Sequence, residues 1–267
     1  MKYDLSNNPE LANFLDTTLA LQGTSIPLYQ DGIGRVEYIQ HMGTDLTMVN
    51  SARVSFGTSS TELTQRDKKL INHLINKKHT STLEHNVITF KFVVPIFVRS
   101  QHHRHRTWSY NEISRRYTQK DLQFYTPSEF RTQHKSDRQA SNLDSHFNPT
   151  ITPSFVDTYV ETDKAVKAFK DSALDLYNQM LNKGVCKEQA RMVLPQNMYT
   201  EYYGTTNLNN AFKFLYLRLD KHAQWEIIKV AEAMLEILVK AYPYATQVFI
   251  NSLKDNPNYE NYEHLLS

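Results

Sequence analysis

The sequence predicts an α+β single domain in which a central, mostly antiparallel sheet is flanked by long helices. Apolar residues recur at helical spacing in several long segments, and one run after residue 86 has the β-branched and aromatic make-up of a strand. The downstream half then reads as mostly helices, without the repeated β-α-β alternation of a doubly wound sheet. With 267 residues, 40% of them hydrophobic, the chain can bury a core of its own without disulfide or metal staples.

Each element has its own signal. From Asp67 to Lys78, Leu70, Ile71, Leu74 and Ile75 fall at helical spacing with charge on the other face. After the polar break His79 to Glu84, the run Val87 to Val98 interleaves Val87, Thr89, Lys91 and Val93 with Ile88, Phe90 and Phe92, a strand that ends near Pro95. Between Phe130 and Pro153, His134, Lys135, Ser136, Asp137 and Arg138 keep no apolar period, which reads as a polar surface insertion near 131–153 in the single domain 1–267. Ser154, with Asp157 three residues on, is placed to cap a long helix carrying Val156, Tyr159, Val160, Val166, Phe169, Ala173, Tyr177 and Met180, and Gly184 is placed to end it. A short helix from Lys187 to Val193 stops at Pro195, and helices over Asn209 to Leu217 and His222 to Ala241 follow. There is no internal repeat or low-complexity tract.

Composition removes several function classes. A formal net charge of +2 is too small for general nucleic-acid affinity. The Gly32 to Gly34 pair lacks the third glycine of a dinucleotide fingerprint and no Walker-type loop occurs, so bound phosphates would need side-chain charge. The single Cys186 excludes an internal disulfide and a thiolate zinc cluster, which fits a reducing, cytoplasmic home. No run reaches the length of a membrane span, and Met1 to Glu10 is polar and acidic rather than a basic stretch leading into an apolar core, so no membrane partner is expected.

The chemistry concentrates in Gln101-His-His-Arg-His-Arg-Thr-Trp-Ser-Tyr-Asn-Glu-Ile-Ser-Arg-Arg-Tyr117, where Arg104, Arg106, Arg115 and Arg116 stand with three histidines against one acid, Glu112. Planar guanidinium forks suit phosphate oxygens and keep their charge at any working pH. If Ser109 to Tyr117 is helical, Glu112 lies four residues before Arg116 and either steers it or accepts from a ligand. The alternative is a solvated basic helix with internal salt bridges, against which Trp108, Tyr110, Ile113 and Tyr117 argue by requiring partial burial. A metal reading of His102, His103 and His105 stands well behind, since the arginines repel cations and the i, i+4 spacing is absent.

Arg104-His105-Arg106, seven residues and Ser114 reproduce the R-H-R-x7-S signature, and in this the chain resembles the flavin-dependent thymidylate synthases. Ala52-Arg-Val-Ser-Phe56, His79-Thr-Ser-Thr-Leu-Glu-His85, Glu188-Gln-Ala-Arg-Met-Val-Leu-Pro195, Asn207 and Leu217-Arg-Leu-Asp-Lys-His-Ala-Gln-Trp-Glu226 resemble that family's other blocks, in order, across Met42 to Tyr242. The resemblance implies that Arg104, His105 and Arg106 hold FAD with Ser81, Glu112, Asn207 and Asn209, and that His79 lies near the isoalloxazine ring. It implies that dUMP meets Gln101, Arg104, Glu112, Ser114, Arg115 through its backbone, Arg116, Arg191 and Arg218. It also implies a homotetramer with sites at subunit interfaces, Arg191 coming from a neighbouring copy, and NADPH and the folate 5,10-methylenetetrahydrofolate as co-substrates.

Arg218 is the expected catalytic residue, its fixed charge stabilising the pyrimidine as C5 becomes nucleophilic. Its structural alternative is an ion pair with Asp220 or Glu226. Cys186, away from the arginines in sequence, fits a packing role rather than the thiolate that a cysteine-dependent thymidylate synthase needs. Lys213 stands where the resemblance leads to an asparagine near the flavin, and Asn209 or Asn210 would have to substitute. A second function class, nucleic-acid binding through the arginine and aromatic segment 101–117, is weakened by the near balance of acids and bases elsewhere.

Overall fold

The computed structural model describes residues 9–120, 122–127, 129–136 and 140–266. The opening residues and part of the polar stretch, including Asp137 and Arg138, lie outside them. A five-stranded antiparallel sheet forms the centre, in the order β1 (Ser25–Pro27), β2 (Arg35–Met42), β3 (Val87–Pro95), β9 (Tyr199–Asn207) and β4 (Ser109–Glu112). β3 pairs along its whole length with β9, Val87 opposite Asn207 and Pro95 opposite Tyr199.

Phe90, Phe92 and Val94 on β3 are fully buried, as expected of a strand walled in by neighbours, and burial of each large side chain contributes roughly 2 to 3 kcal/mol. Helices α7 (Leu208–Arg218), α8 (Trp225–Ala241) and α9 (Pro243–Leu253) supply much of the same core through Phe214, Leu215, Met234, Leu238 and Phe249. β9 carries Gly204 at its centre because a Cβ there would stand 2.8 Å from Phe92 Cε2.

Two helices between β2 and β3 are fixed by capping boxes. Thr44 opens α2 (Asp45–Arg53) with Thr47, and Thr64 opens α3 (Gln65–Asn76) with Asp67, each cap exchanging hydrogen bonds with the third helical residue. Asp67 is fully buried and also paired with Arg53. Asp45, the first residue of α2, accepts from the backbone of Tyr244 and Ala245 at 2.8 and 2.9 Å and so caps α9 from outside that helix. A further helix, α1 (Pro9–Leu21), precedes β1.

Three expectations change. The strand ends at Pro95 as predicted, but Ile96–His102 forms α4, so a helical turn and not the strand leads into the arginines. Ser109–Glu112 is a strand on the sheet edge rather than a helix, because its backbone completes the ladder of β9. The long helix α5 is Thr162–Asn182, not a helix from Ser154; the Asn148 side chain accepts from Asp163 N at 3.1 Å and caps it across a loop, which the local Ser154 and Asp157 pattern does not show. Gly184, with φ of 88°, ends it as expected.

The polar stretch after residue 129 is not bare loop. β5 (Phe130–Gln133) pairs with β6 (Ser141–Phe147), and β7 (Thr150–Ile151) with β8 (Val160–Glu161). Arg131 on β5 turns inward to the head of α8. The remaining short helix, α6 (Lys187–Ala190), continues as a 3-10 turn over Arg191–Val193.

Candidate active site

The arginine and histidine run forms the loop after α4, and its carbonyls are held from below. Arg104 N donates to Gln101 O at 3.4 Å and His105 N to His102 O at 2.9 Å. The Tyr110 hydroxyl lies within 3.0 and 3.1 Å of the His102 and His105 carbonyl oxygens. His102 is fully buried, its Nδ1 2.8 Å from the Tyr202 hydroxyl, with the rings of Trp108, Phe92 and Phe214 at 4.5 to 4.7 Å. Burial, then His105, His103 and Arg218, push its pKa well below the ordinary histidine value, so the loop rests on an uncharged aromatic floor.

His105 sits above that floor. Burial and then Arg218 hold its pKa down at about 4, so at neutral pH its Nε2 can accept, and Arg218 Nε donates to it at 3.2 Å. Arg218, the last residue of α7, also donates to Gln101 O at 3.4 Å. Neither expected carboxylate takes it: Asp220 bonds His222 at 2.8 Å and Glu226 pairs with Arg131 at 2.7 Å. Among the described residues no carboxylate pairs with Arg218, which is half-buried, and burial and nearby Arg104 lower its pKa.

Glu112 does not steer Arg116. On β4 it meets Arg99 Nε at 3.2 Å and accepts from Thr200 Oγ1 at 2.6 Å, while Arg116 reaches Glu188 on α6 at 3.8 Å. Arg115 is buried and donates to Lys120 O at 2.6 Å, which leaves its backbone, not its fork, for any ligand. Ser114 Oγ accepts from Arg116 N at 3.3 Å in the turn that follows β4. Arg191 is exposed beside α6, on the side where Lys187 and Glu188 approach Tyr117 and Arg116.

A second group of predicted residues gathers at the other end of α7. Asn207 caps that helix through Asn210 N at 2.9 Å, and Asn209, buried, donates to Glu84 at 3.0 Å. Glu84 closes the 3-10 turn Thr80–Leu83, which carries exposed Ser81 and follows exposed His79. Asn207 lies eleven positions before Arg218, about 16 Å along the helix. The predicted residues thus fall into two groups on this chain, one at each end of α7. Lys213 is exposed on the same helix.

Fixed cations suit a flavin's pyrophosphate. Arg104 and Arg106 are exposed and meet no carboxylate among the described residues, and His103 Nε2 is buried without a hydrogen-bond partner. The donors therefore fit the group. A base-stacking platform fits less well, because Trp108 is 7% exposed and stacks on Tyr110 inside the fold. Sequence reasoning misses Arg99 and Thr200 as partners of Glu112, and Arg131 as partner of Glu226. Only pairing β4 against β9, which puts Glu112 opposite Tyr202, would have pointed to Thr200.

The fold is α+β, and the surface around Arg104, Arg106 and Arg218 carries fixed positive charge. The profile of the family described as thymidylate synthase complementing protein matches residues 37–244, and the chain belongs to that family, the flavin-dependent thymidylate synthases. The flavin-dependent thymidylate synthase of Thermus thermophilus is 40% identical over 84% of this chain and 78% of its own. That of Thermotoga neapolitana is 35% identical over 84% of this chain and 94% of its own. Among solved structures, a UMP/dUMP methylase, PolB from Streptomyces cacaoi bound with 5-Br dUMP, is similar with a TM-score of 0.69 and 30% identity, covering 85% of this chain and 97% of that one.

Proposed function

We propose that the protein converts dUMP to dTMP by reductive methylation, with FAD as cofactor, 5,10-methylenetetrahydrofolate as carbon donor and NADPH as reductant. The single observation that carries this reading is Arg218, a half-buried guanidinium aimed by the neutral His105 and paired with no carboxylate among the described residues. Such a charge stabilises electron density arising on a pyrimidine ring without exchanging a proton, and its fixed mounting avoids reorganisation as the reaction proceeds. The bound flavin would supply hydride chemistry that no side chain offers.

The residues divide the remaining work. Arg104, His105 and Arg106, with Ser81, Asn207, Asn209 and His79, would hold the flavin nucleotide. Gln101, Ser114, the Arg115 backbone, Arg116 and Arg191 would hold dUMP, with Glu112 fixed by Arg99 and Thr200 between the two groups. We read the whole chain as one domain acting in a cytoplasmic homotetramer, in which Arg191 of one copy completes the site of another. In support of the assembly, apolar side chains stand exposed beside two of the arginines, Met192 at 75% next to Arg191 and Leu217 at 56% next to Arg218.

The test is an assay for dTMP with dUMP, methylenetetrahydrofolate, NADPH and FAD, each omitted in turn. Product that requires every component supports the reading. Protein that stays colourless with FAD and yields no dTMP refutes it, and tight, salt-sensitive oligonucleotide binding in its place would turn the arginine segment to nucleic acid.

A further inference from the structure

A chain of side-chain hydrogen bonds runs from the β5–β6 hairpin to Gln101, through residues to which the proposed function gives no role. Glu226 is buried in the first turn of α8, and its carboxylate accepts from Arg131 at 2.7 Å, the Tyr125 hydroxyl at 3.3 Å and Gln224 Nε2 at 2.8 Å. Gln224 Oε1 in turn accepts from Gln101 Nε2. Arg131 is anchored a second time, by Nε to Ser141 Oγ at 3.1 Å, and lies over the Trp225 ring at 5.4 Å.

Direction follows from chemistry. A carboxylate only accepts, so Gln224 must turn its amide nitrogen to Glu226 and its oxygen to Gln101. Gln101 must then give its nitrogen to Gln224, which leaves its own oxygen as the atom available to a ligand. Its main chain is held as well, since Gln101 O accepts from Arg218 at 3.4 Å. The side-chain amide is thus held through its nitrogen and the residue through its main chain.

We propose that Gln224 and Glu226, locked from the hairpin by Arg131, are positioning residues that set the polarity of the Gln101 amide toward the nucleotide. This rests on the reading of Gln101 as a dUMP contact. The relay makes Gln101 an acceptor for a nucleotide N–H or O–H, and it couples the hairpin at 130–147 to the nucleotide's fit without touching the nucleotide.

The experiment is a double-mutant cycle on the FAD-loaded protein, with dUMP KM, kcat and flavin absorbance as readouts. Gln224→Leu breaks the relay without leaving a charge unpaired, and a paired Arg131→Met with Glu226→Gln breaks it from the far end. Each is expected to raise dUMP KM about tenfold, on the order of one lost hydrogen bond, with kcat within about twofold and flavin content unchanged. Gln101→Ala should raise KM similarly in the original chain and add nothing in the Gln224→Leu background. An unchanged KM in Gln224→Leu, or increases that multiply when the two changes combine, overturns the relay while leaving the proposed reaction standing. Absence of dTMP from the unsubstituted chain overturns the reaction itself.

Discussion

Arg218 and His105 form a pair in which the histidine's neutrality is as important as the arginine's charge. Arg218→Ala should lower kcat by at least about 100-fold, the cost of removing one preorganised electrostatic donor, while the purified variant stays yellow with FAD. Full turnover would remove Arg218 from the chemistry. The histidine makes its own prediction. Its folded pKa near 4 lies below the ordinary 6.5, so between those values the unfolded chain binds a proton that the folded chain refuses. Its contribution to stability is complete above pH 6.5 and lost as pH falls toward 4, and buried His102 acts in the same direction. Denaturant titrations at about pH 7 and about pH 5 should show that loss, and His105→Asn should make it smaller.

Among the elements, β9 ties the sheet to the site, and Gly204 is its tightest point. Gly204→Ala should cost about 1 to 3 kcal/mol in chemical denaturation, because the new methyl meets Phe92 at 2.8 Å in a packed core. Asp45→Ala should cost about 1 to 2 kcal/mol, since it strips the first turn of α9 of the acceptor for two backbone N–H groups. The helices α3, α7 and α8 were legible in the sequence because one face of each repeats near 3.6 residues. β9 was not, because Thr-Glu-Tyr-Tyr-Gly-Thr-Thr carries no apolar run and reads as a strand only beside β3. β4 imitated a helix through the spacing of Glu112 and Arg116, and α5 hid its true start because its cap, Asn148, lies fourteen residues before Thr162.

Across the whole molecule, the arginine segment was visible at once because its residues are contiguous, whereas Arg131 meets Glu226, and through it Gln224, only across a separation of 95 positions in the chain. Distance in sequence, not subtlety of chemistry, kept that network out of sight. Cys186→Ser should retain activity within about twofold, since the thiol is exposed at the start of α6 rather than packed in the core, and it bonds the Gln189 side chain at 3.9 Å. Loss of turnover in a folded variant would restore the thiol to the mechanism. The outermost strands of the sheet, β1 and β4, are three and four residues long. Neither leaves a long row of unsatisfied peptide groups on which another polypeptide could lay itself down, a built-in guard against fibre growth.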